Sequence, residues 1–398
     1  MKKILLGTTG LIGAALLASA ASAETPKVTL GGFSDFQAGY VSQDLDATGI
    51  GAPKDFSFRN DNEVSVHVDG KTDTGLGYGA VIDLEADTTP DADNQGVNAA
   101  RTFTYLEGNW GRAELGGNKS AAATMRVDAS SVAVATGGIN GAWTYFVTNP
   151  VGTADFISTS KLVTEHGATD TYGNESTYNA TKVTYYTPSF WGLQAGVSYT
   201  PGVSYDGTIG RGQSVATIGN TGYNDVIDAG LTWSTAIDKD WKLGLAGTYE
   251  TANADVAGAT FNTTTDSWNV GASLGYLGWQ VAGSYGNWNN AALTSTAVAT
   301  IPGTPGTSAT ATGDGSYWTA GLGYDAGPVG LSATYLNSTL DAVGGGNNDF
   351  SNLVFGADYK LAPGLTPYAE VSLFDASTAG AVANNNGTVV LVGTQIAF

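Results

Sequence analysis

The chain ends in the stretch TVVLVGTQIAF, which runs from Thr388 to Phe398. Every second residue from Val390 onward is apolar, with Thr394 as the exception. Because successive side chains of an extended chain point to opposite faces, this spacing places the apolar residues on one face. The stretch therefore predicts a β-strand with an apolar face and an aromatic side chain as its last residue.

The other end of the chain has the pattern of an export signal. Lys2 and Lys3 precede an apolar run over residues 4–17, and Ala21-Ser22-Ala23 supplies the small residues of a cleavage site. We expect residues 1–23 to be removed as a signal peptide and residues 24–398 to form the mature chain. A transmembrane anchor over residues 4–20 is the alternative, which the shortness of the run disfavours.

The composition narrows the classes of function. The chain has no cysteine, which excludes disulfides, thiolate metal sites and thiol catalysis. It carries 36 acidic and 16 basic side chains, for a formal charge of −20. Binding a nucleic acid requires clustered Lys and Arg, so we expect no nucleic-acid partner. The 56 glycines and 19 tyrosines favour strands and turns over helices.

Aromatic residues mark the two ends of several apolar strand faces. Trp191 and Tyr199 are eight positions apart on one face, as are Trp241 and Tyr249. Eight strand residues span roughly 26 Å, or about 19 Å along the membrane normal when tilted by ~45°. Transmembrane barrels have an outward apolar band of about this height between two aromatic girdles. A membrane-spanning sheet must also close, because lipid offers no hydrogen-bond partner to an open edge.

Sixteen strands fit this pattern, and short and long connections alternate between them. The predicted strands are 27–41, 57–69, 74–86, 99–108, 110–117, 177–188, 191–201, 223–234, 240–251, 264–276, 278–287, 314–326, 328–338, 349–362, 364–376 and 386–398. Short turns on one side and long loops on the other are typical of transmembrane barrels. The sequence therefore predicts an all-β fold, a 16-stranded antiparallel transmembrane β-barrel. Fourteen or eighteen strands are also compatible with the pattern.

Several motifs of the chain resemble those of the general bacterial porins, in the branch common among alphaproteobacteria. The motifs are Phe58-Arg59-Asn60-Asp61-Asn62-Glu63-Val64 with Gly75-Leu76-Gly77-Tyr78-Gly79, Thr104-Tyr105-Leu106-Glu107-Gly108 with Trp110-Gly111-Arg112-Ala113-Glu114-Leu115-Gly116, and the terminal Phe398. The resemblance covers the whole mature chain. It implies a homotrimer of sixteen-stranded barrels in the outer membrane. It also implies that the long third external loop, residues 118–176, folds into the lumen of its own barrel as a constriction.

The resemblance has consequences for partners and for charge. It implies that outer-membrane lipid and lipopolysaccharide surround the barrel. It also implies that the barrel-assembly machinery recognises the closing strand, which ends at Phe398. Porins of this family often carry several clustered arginines opposite the third loop, whereas the mature chain has few basic residues. A strongly anion-attracting wall is therefore not expected.

Side-chain parity predicts which charged residues face the lumen. The residues that alternate with the apolar face of the second, third and fifth strands are Arg59, Asp61, Glu63, His67, Asp83, Glu85, Arg112 and Glu114. They form a charged pore wall in one interpretation and merely solvate a wet lumen in the other. Arg101 is ambiguous, because Phe103 and Tyr105 share its parity and would place it outward.

The long third loop contributes further candidates. Lys119 opens the loop and is expected to reach the constriction, while Asp128 and Asp155 are the candidates for its opposing side. Three aromatic residues of the loop are expected to pin it to the barrel wall rather than to bind a solute. They are Trp143, Tyr145 and Phe146.

These features predict a water-filled channel for passive diffusion of small hydrophilic solutes and ions. A mild preference for cations follows from the acidic excess, because a charged aqueous lumen concentrates counter-ions. An occluded barrel with a structural or adhesive role is the alternative. We expect no enzymatic activity and no cofactor, since the two histidines of the mature chain, His67 and His166, are solitary. Carboxylates at the pore mouth suit a bound Ca²⁺, although no run of residues has the spacing of a dedicated calcium loop.

Overall fold

The computed structural model describes residues 25–45, 54–87, 98–147, 162, 180–203, 222–255, 263–290, 313–341, 346–377, 379 and 384–398. The expected signal peptide, Asp155 and His166 lie outside these residues. In the part of the chain that is described, sixteen antiparallel strands form one closed barrel, and each strand pairs with its neighbours in sequence. The predicted sixteen-stranded antiparallel barrel is thus confirmed.

The strands of the barrel are β1 (Lys27–Leu45), β2 (Phe56–Lys71), β3 (Gly77–Glu85), β4 (Asn98–Gly108), β5 (Gly111–Gly117), β6 (Thr181–Tyr186), β7 (Leu193–Gly202), β8 (Gly222–Ala236), β9 (Trp241–Asp255), β10 (Thr263–Tyr276), β11 (Trp279–Asn289), β12 (Gly315–Ala326), β13 (Val329–Asp341), β14 (Asn347–Tyr359), β15 (Leu365–Ser377) and β16 (Asn385–Ala397). Strand β6 is shorter than the range predicted for it. The other strands deviate from prediction mainly at their ends, where alternation gives way to turn residues.

The carboxy-terminal strand closes the barrel. β16 pairs antiparallel with β15 on one side and with β1 on the other, which places Val392 opposite Ala38. Past the end of β16, the backbone groups of Phe398 and Gly32 exchange two hydrogen bonds of 3.1 Å. The stretch that ends the sequence is therefore the strand that joins the last edge of the sheet to the first.

Side chains alternate along the strands and divide the sheet into two faces. On β12, Trp318 and Leu322 are exposed, whereas Tyr317 and Thr319 are buried. We call the face with the exposed side chains, such as Trp318 and Leu322, the apolar face. We call the opposite face, which carries Tyr317 and Thr319, the polar face. The same alternation recurs on β7, β11 and β13–β15.

Aromatic rings form rows on the apolar face. Trp241 and Tyr276 have ring centroids 4.3 Å apart, and those of Trp279 and Tyr324 are 4.4 Å apart. Such rows agree with the predicted aromatic ends of the strands. Trp191 departs from the prediction, because it lies in the turn before β7 with a φ of 51° and is 99 % exposed.

Residues 118–147, which we call the wall-bound segment, form the start of the long third connection. They contain helix α1 (Ala121–Met125) and three 3₁₀ turns, Ala129–Val132, Gly138–Asn140 and Ala142–Phe146. The sequence predicted these residues only as part of the long third loop, residues 118–176. Short helices form because Ser120 and Asp128 accept backbone N–H groups at the start of α1 and of the first 3₁₀ turn. Among the described residues, no helix is long and apolar enough to span a membrane.

Candidate functional site: the polar face and the segment bound to it

The wall-bound segment follows the polar face in the order of the strands. Helix α1 packs on β6–β9, the first 3₁₀ turn on β11–β13, the second on β13 and β14, and the last on β16 and β1. At the end of this route, the guanidinium carbon of Arg59 on β2 lies 3.9 Å from the centre of the Tyr145 ring. We call the polar face of β6–β16 and β1 the covered arc, and that of β2–β5 the charged arc.

Side chains of the covered arc hold the backbone of the wall-bound segment. Hydroxyl and carboxylate oxygens on five strands accept hydrogen bonds from its N–H groups. The pairs are Ala121 N with Ser198 Oγ (2.7 Å), Ala122 N with Asp228 Oδ1 (2.8 Å), Ala129 N with Thr319 Oγ1 (3.1 Å), Val134 N with Ser332 Oγ (3.1 Å), Thr136 N with Glu370 Oε2 (3.3 Å) and Ile139 N with Thr334 Oγ1 (3.1 Å). Short helices leave most of their N–H groups without internal partners. An unpaired buried donor costs about 1–3 kcal/mol, so each acceptor contributes to fixing the segment in place.

Trp143 anchors the last turn of the segment. Its side chain is 0 % exposed and stacks against Phe350 and Phe374, with centroid distances of 6.1 and 6.3 Å. The indole N–H donates to the carbonyl oxygen of Gly138 at 3.0 Å, so its polar atom is also satisfied. Burial of the ring and satisfaction of its N–H together favour a single position for this turn.

Two further aromatic residues of the same turn reach β1 and β2. The Phe146 ring lies so close to Gly39 that a Cβ at this position would overlap it. Tyr145 is 68 % exposed and contacts the Arg59 guanidinium with one face of its ring. The three aromatic residues expected to pin the loop therefore all contact the barrel, by different means.

The charged arc carries arginines that are paired with carboxylates. The pairs are Arg59 with Asp61 (2.8 Å), Arg101 with the buried Asp83, Arg112 with Glu114 (2.7 Å) and Arg112 with Glu107 (2.9 Å). Glu63 and Glu85 lie directly opposite each other in the register of β2 and β3. Among the described residues, neither has a basic side chain within ion-pair distance. The arc therefore has more carboxylates than guanidinium groups.

The residues predicted on β2, β3 and β5 lie on this polar face, and the ion pairs bring most of them together. His67 shares the face but forms no pair with Ser65. The Ser65 hydroxyl instead donates to Asp83 Oδ1 at 2.6 Å and lies 3.2 Å from Glu63 Oε1. That these charged residues line a pore stays a prediction.

The structure resolves the ambiguity over Arg101. The pairing of β3 with β4 shifts in register beside Asp83, and Arg101 lies opposite Asp83 at that point. Phe103 and Tyr105 share the parity of Arg101 and are buried on the polar face. The outward alternative was based on treating these aromatic residues as part of the apolar face. The Tyr105 ring instead packs under the guanidinium of Arg112, at 3.9 Å from its centre.

Asp128, predicted on the opposing side of the constriction, is bonded within its own segment. Its Oδ1 accepts from the N–H of Ser130 at 2.8 Å and from the Ser130 hydroxyl at 2.5 Å. Its other oxygen lies 3.5 Å from Nε of Arg126, and the side chain is buried. That Asp128 lies on the opposing side of the constriction stays a prediction. Lys119, at the start of the segment, is partly buried.

One group of carboxylates in the described residues has the spacing of a cation site. Oxygens of Asp61, Glu85 and Asp87 lie within 4.8 Å of one another. Asp61 is already paired with Arg59, and Asp87 Oδ1 accepts from the N–H of Asn62 at 2.7 Å. Two of the three carboxylates thus already have partners within the protein, and bound Ca²⁺ stays a prediction.

Comparison with known sequences supports the assignment of the chain to a family. The model of the Gram-negative porin family matches residues 8–379. An uncharacterised protein of Rickettsia typhi is 28% identical over 467 residues that cover 100% of both chains. An uncharacterised protein of Rickettsia prowazekii is 28% identical over 435 residues, which cover 94% of this chain and 93% of the relative.

Solved structures with the same fold include bacterial porins and an outer membrane channel. The anion-selective porin of Comamonas acidovorans has a TM-score of 0.60 at 18% identity, over 94% of this chain and 100% of that one. OmpF of Salmonella typhi, in complex with daunomycin, has a TM-score of 0.64 at 14% identity, over 94% and 98% of the two chains. The outer membrane channel DcaP of Acinetobacter baumannii has a TM-score of 0.62 at 14% identity, over 96% and 100%. The sixteen-stranded barrel and the match to the family model together establish that the chain belongs to the Gram-negative porin family.

Proposed function

We propose that the chain forms a water-filled channel in the outer membrane, through which small hydrophilic solutes and ions diffuse passively. The observation that carries the proposal is a closed barrel with exposed apolar side chains on one face and charged side chains on the other. In a transmembrane barrel, an apolar outer face meets lipid and a polar inner face meets water. The charged arc is the stretch of polar face along which water and solutes pass.

The wall-bound segment narrows this channel. Its contacts run from β6 around to β1 and β2, on the polar face throughout. A segment this short can contact so many strands in turn only if it runs through the interior of the barrel. The path around the outside of the barrel is longer. The opening that remains lies between the segment and the charged arc, so long charged side chains border the narrowest part.

The channel is mildly cation-selective. Three arginines of the charged arc are matched by carboxylates, and Glu63 and Glu85 add negative charge without a basic partner among the described residues. A negative lumen concentrates cations and depletes anions at low ionic strength. The anion selectivity named for the Comamonas porin is a property of that protein, and the charge balance here favours the opposite sign.

The assembled form is a homotrimer in outer-membrane lipid and lipopolysaccharide. A Vibrio cholerae protein of the same fold, OmpT, has been solved in a trimer form, with a TM-score of 0.56 at 12% identity. Residues 1–23 are removed during export, and β16 with its terminal Phe398 presents the barrel to the assembly machinery. Chemical cross-linking of the purified protein in detergent tests the trimer.

Single-channel recording in a planar lipid bilayer tests the channel. We expect stepwise insertion of open channels, and a reversal potential in a salt gradient that indicates cation preference. That preference should weaken as salt rises, because the Debye length shrinks from ~10 Å at 0.1 M to ~3 Å at 1 M. Bilayers that stay sealed after verified insertion would support an occluded structural or adhesive barrel instead. A clear anion preference would contradict the selectivity while leaving the channel intact.

A further inference from the structure

Glu370 is a buried carboxylate on the covered arc that has no part in the charged arc. It lies on β15 and is 1 % exposed. Its Oε1 accepts from the hydroxyl of Thr136 at 2.7 Å and its Oε2 from the N–H of Thr136 at 3.3 Å. The backbone N–H of Gly138 also donates to this carboxylate. Every hydrogen-bond partner of the Glu370 carboxyl group among the described residues thus belongs to the wall-bound segment.

These partners lie at a sharp bend of the segment. Gly137 adopts a left-handed conformation, with a φ of 120°, between the two residues that donate to Glu370. The Thr136 hydroxyl oxygen also accepts from the N–H of Ala142 at 2.9 Å, where the last 3₁₀ turn begins. The bend and the turn that carries Trp143 are therefore tied to one carboxylate of the wall.

The carboxyl oxygens of Glu370 are polar atoms buried in the wall. No basic side chain pairs with Glu370 in the described structure, so donors of the segment are what offsets the cost of burying these oxygens. Loss of these donors would leave buried polar atoms without partners, and the bend is held accordingly.

We propose that Glu370 is the positioning residue that fixes the bend of the wall-bound segment and, through it, the width of the channel. The proposal rests on the proposed function, in which the segment narrows the lumen. Glutamine at this position keeps one acceptor oxygen but turns an amide N–H₂ toward the N–H donors of the segment. The bend then loses part of its support while the volume of the side chain is unchanged.

The test compares Glu370→Gln with Thr136→Ala and with the double variant. Thr136→Ser keeps the hydroxyl and serves as the rescue. Ser372→Ala is the matched control, because Ser372 is buried on the same face of β15 but bonds within the wall, to Asn352 at 2.7 Å. The readouts are single-channel conductance, its open-state current noise, and amide exchange of the peptide around Thr136 followed by mass spectrometry.

We expect Glu370→Gln and Thr136→Ala each to widen the distribution of conductance, to increase the noise and to speed amide exchange at the bend by about tenfold, the equivalent of ~1.4 kcal/mol. The double variant should add little to either single change, and Thr136→Ser and Ser372→Ala should match the parent. Parent values in folded Glu370→Gln and Thr136→Ala would overturn the proposal. If Glu370→Gln does not fold, Thr136→Ala tests the proposal in its place, because Thr136 lies on the segment and not on a strand of the barrel. A parent protein that does not conduct would overturn the proposed function instead, and amide exchange would still test the bend.

Discussion

The covered arc and the charged arc belong to one sheet and one polar face, but they differ in the length and charge of their side chains. On the covered arc, short hydroxyl groups such as those of Thr319 and Thr334 accept backbone N–H groups directly. Glycine brings the segment closer still, since a Cβ at Gly321 would lie 3.1 Å from Cβ of Ala129. Short side chains thus let a second layer of backbone approach the wall.

The charged arc carries longer, charged side chains, and among the described residues no such layer packs on it beyond the contact of Tyr145 with Arg59. Its arginines and glutamates fill the space in front of the wall and satisfy one another, as Arg112 does with Glu107 and Glu114. Charged groups of this kind also need water, which a packed segment would displace. Among the described residues, the wall-bound segment therefore packs mainly where short side chains and glycines admit it, and the charged side chains of β2–β5 pair with one another.

The largest effect should come from removing the layer itself. Replacement of residues 135–146 by a short Gly-Ser linker deletes the bend and the Trp143 anchor from the covered arc. We expect single-channel conductance to rise several-fold and larger sugars to enter in liposome swelling. A matched shortening of the connection between β11 and β12 serves as the control. Parent conductance and an unchanged size limit in a folded deletion would show that the segment does not narrow the channel.

A smaller effect is expected from loosening the layer at one point. Trp143→Ala removes a fully buried ring that stacks against Phe350 and Phe374. Substitution of a buried aromatic residue by alanine costs about 3–5 kcal/mol, part of which the segment loses as local stability. Amide exchange across the last 3₁₀ turn and current noise should both increase. Trp191→Ala is the control, since that side chain is 99 % exposed, and an equal response of the two variants would argue against the anchor.

The two arcs also differ in how far the sequence predicts them. Alternation places Arg59, Asp61 and Glu85 on the polar face correctly, because parity is a local property of a strand. It leaves Arg101 undecided, because Phe103 and Tyr105 share its parity and are aromatic residues that lie on the polar face. The strand count and the closing strand follow from local patterns as well, and both are confirmed.

The covered arc depends on contacts that leave no local pattern. Thr136 and Glu370 are 234 positions apart, and nothing in either neighbourhood indicates the other. The sequence also missed the cap at Asp128, although an acidic residue followed by Ala129, Ser130 and Ser131 is a typical start of a helical turn. That signal would have indicated a structural role for Asp128 instead of a place facing the passage.

The charge of the open arc is tested by Glu63→Gln combined with Glu85→Gln. Neither carboxylate lies within ion-pair distance of a basic side chain among the described residues, so their removal lowers the negative potential and leaves the ion pairs of the arc intact. A unit charge at 4 Å in water is worth about 1 kcal/mol, so the cation-to-anion permeability ratio should fall by a factor of several at low salt. At 1 M salt the difference should nearly vanish, since the Debye length is ~3 Å.

The matched control removes the same charge from the short turns, through Asp73→Asn with Asp240→Asn. Reversal potentials in a salt gradient give the ratio for each variant. An equal drop in the control would mean that the overall charge of the protein sets the selectivity. No drop in the Glu63 and Glu85 variant would remove the charged arc from the ion path.

The smallest effect is expected where the two arcs meet, at Arg59 and Tyr145. A cation–π contact at an exposed site is worth about 0.5–1 kcal/mol, and Arg59 keeps its partner Asp61 when the ring is removed. Tyr145→Ala should therefore raise current noise only slightly, and Tyr145→Phe should match the parent because the ring remains. A double-mutant cycle with Arg59→Gln separates the contact from the ion pair. A rise in conductance for Tyr145→Ala as large as that for the deletion of residues 135–146 would contradict this ranking. It would mean that the contact with Arg59 on the charged arc, and not the contacts with the covered arc, holds the segment in place.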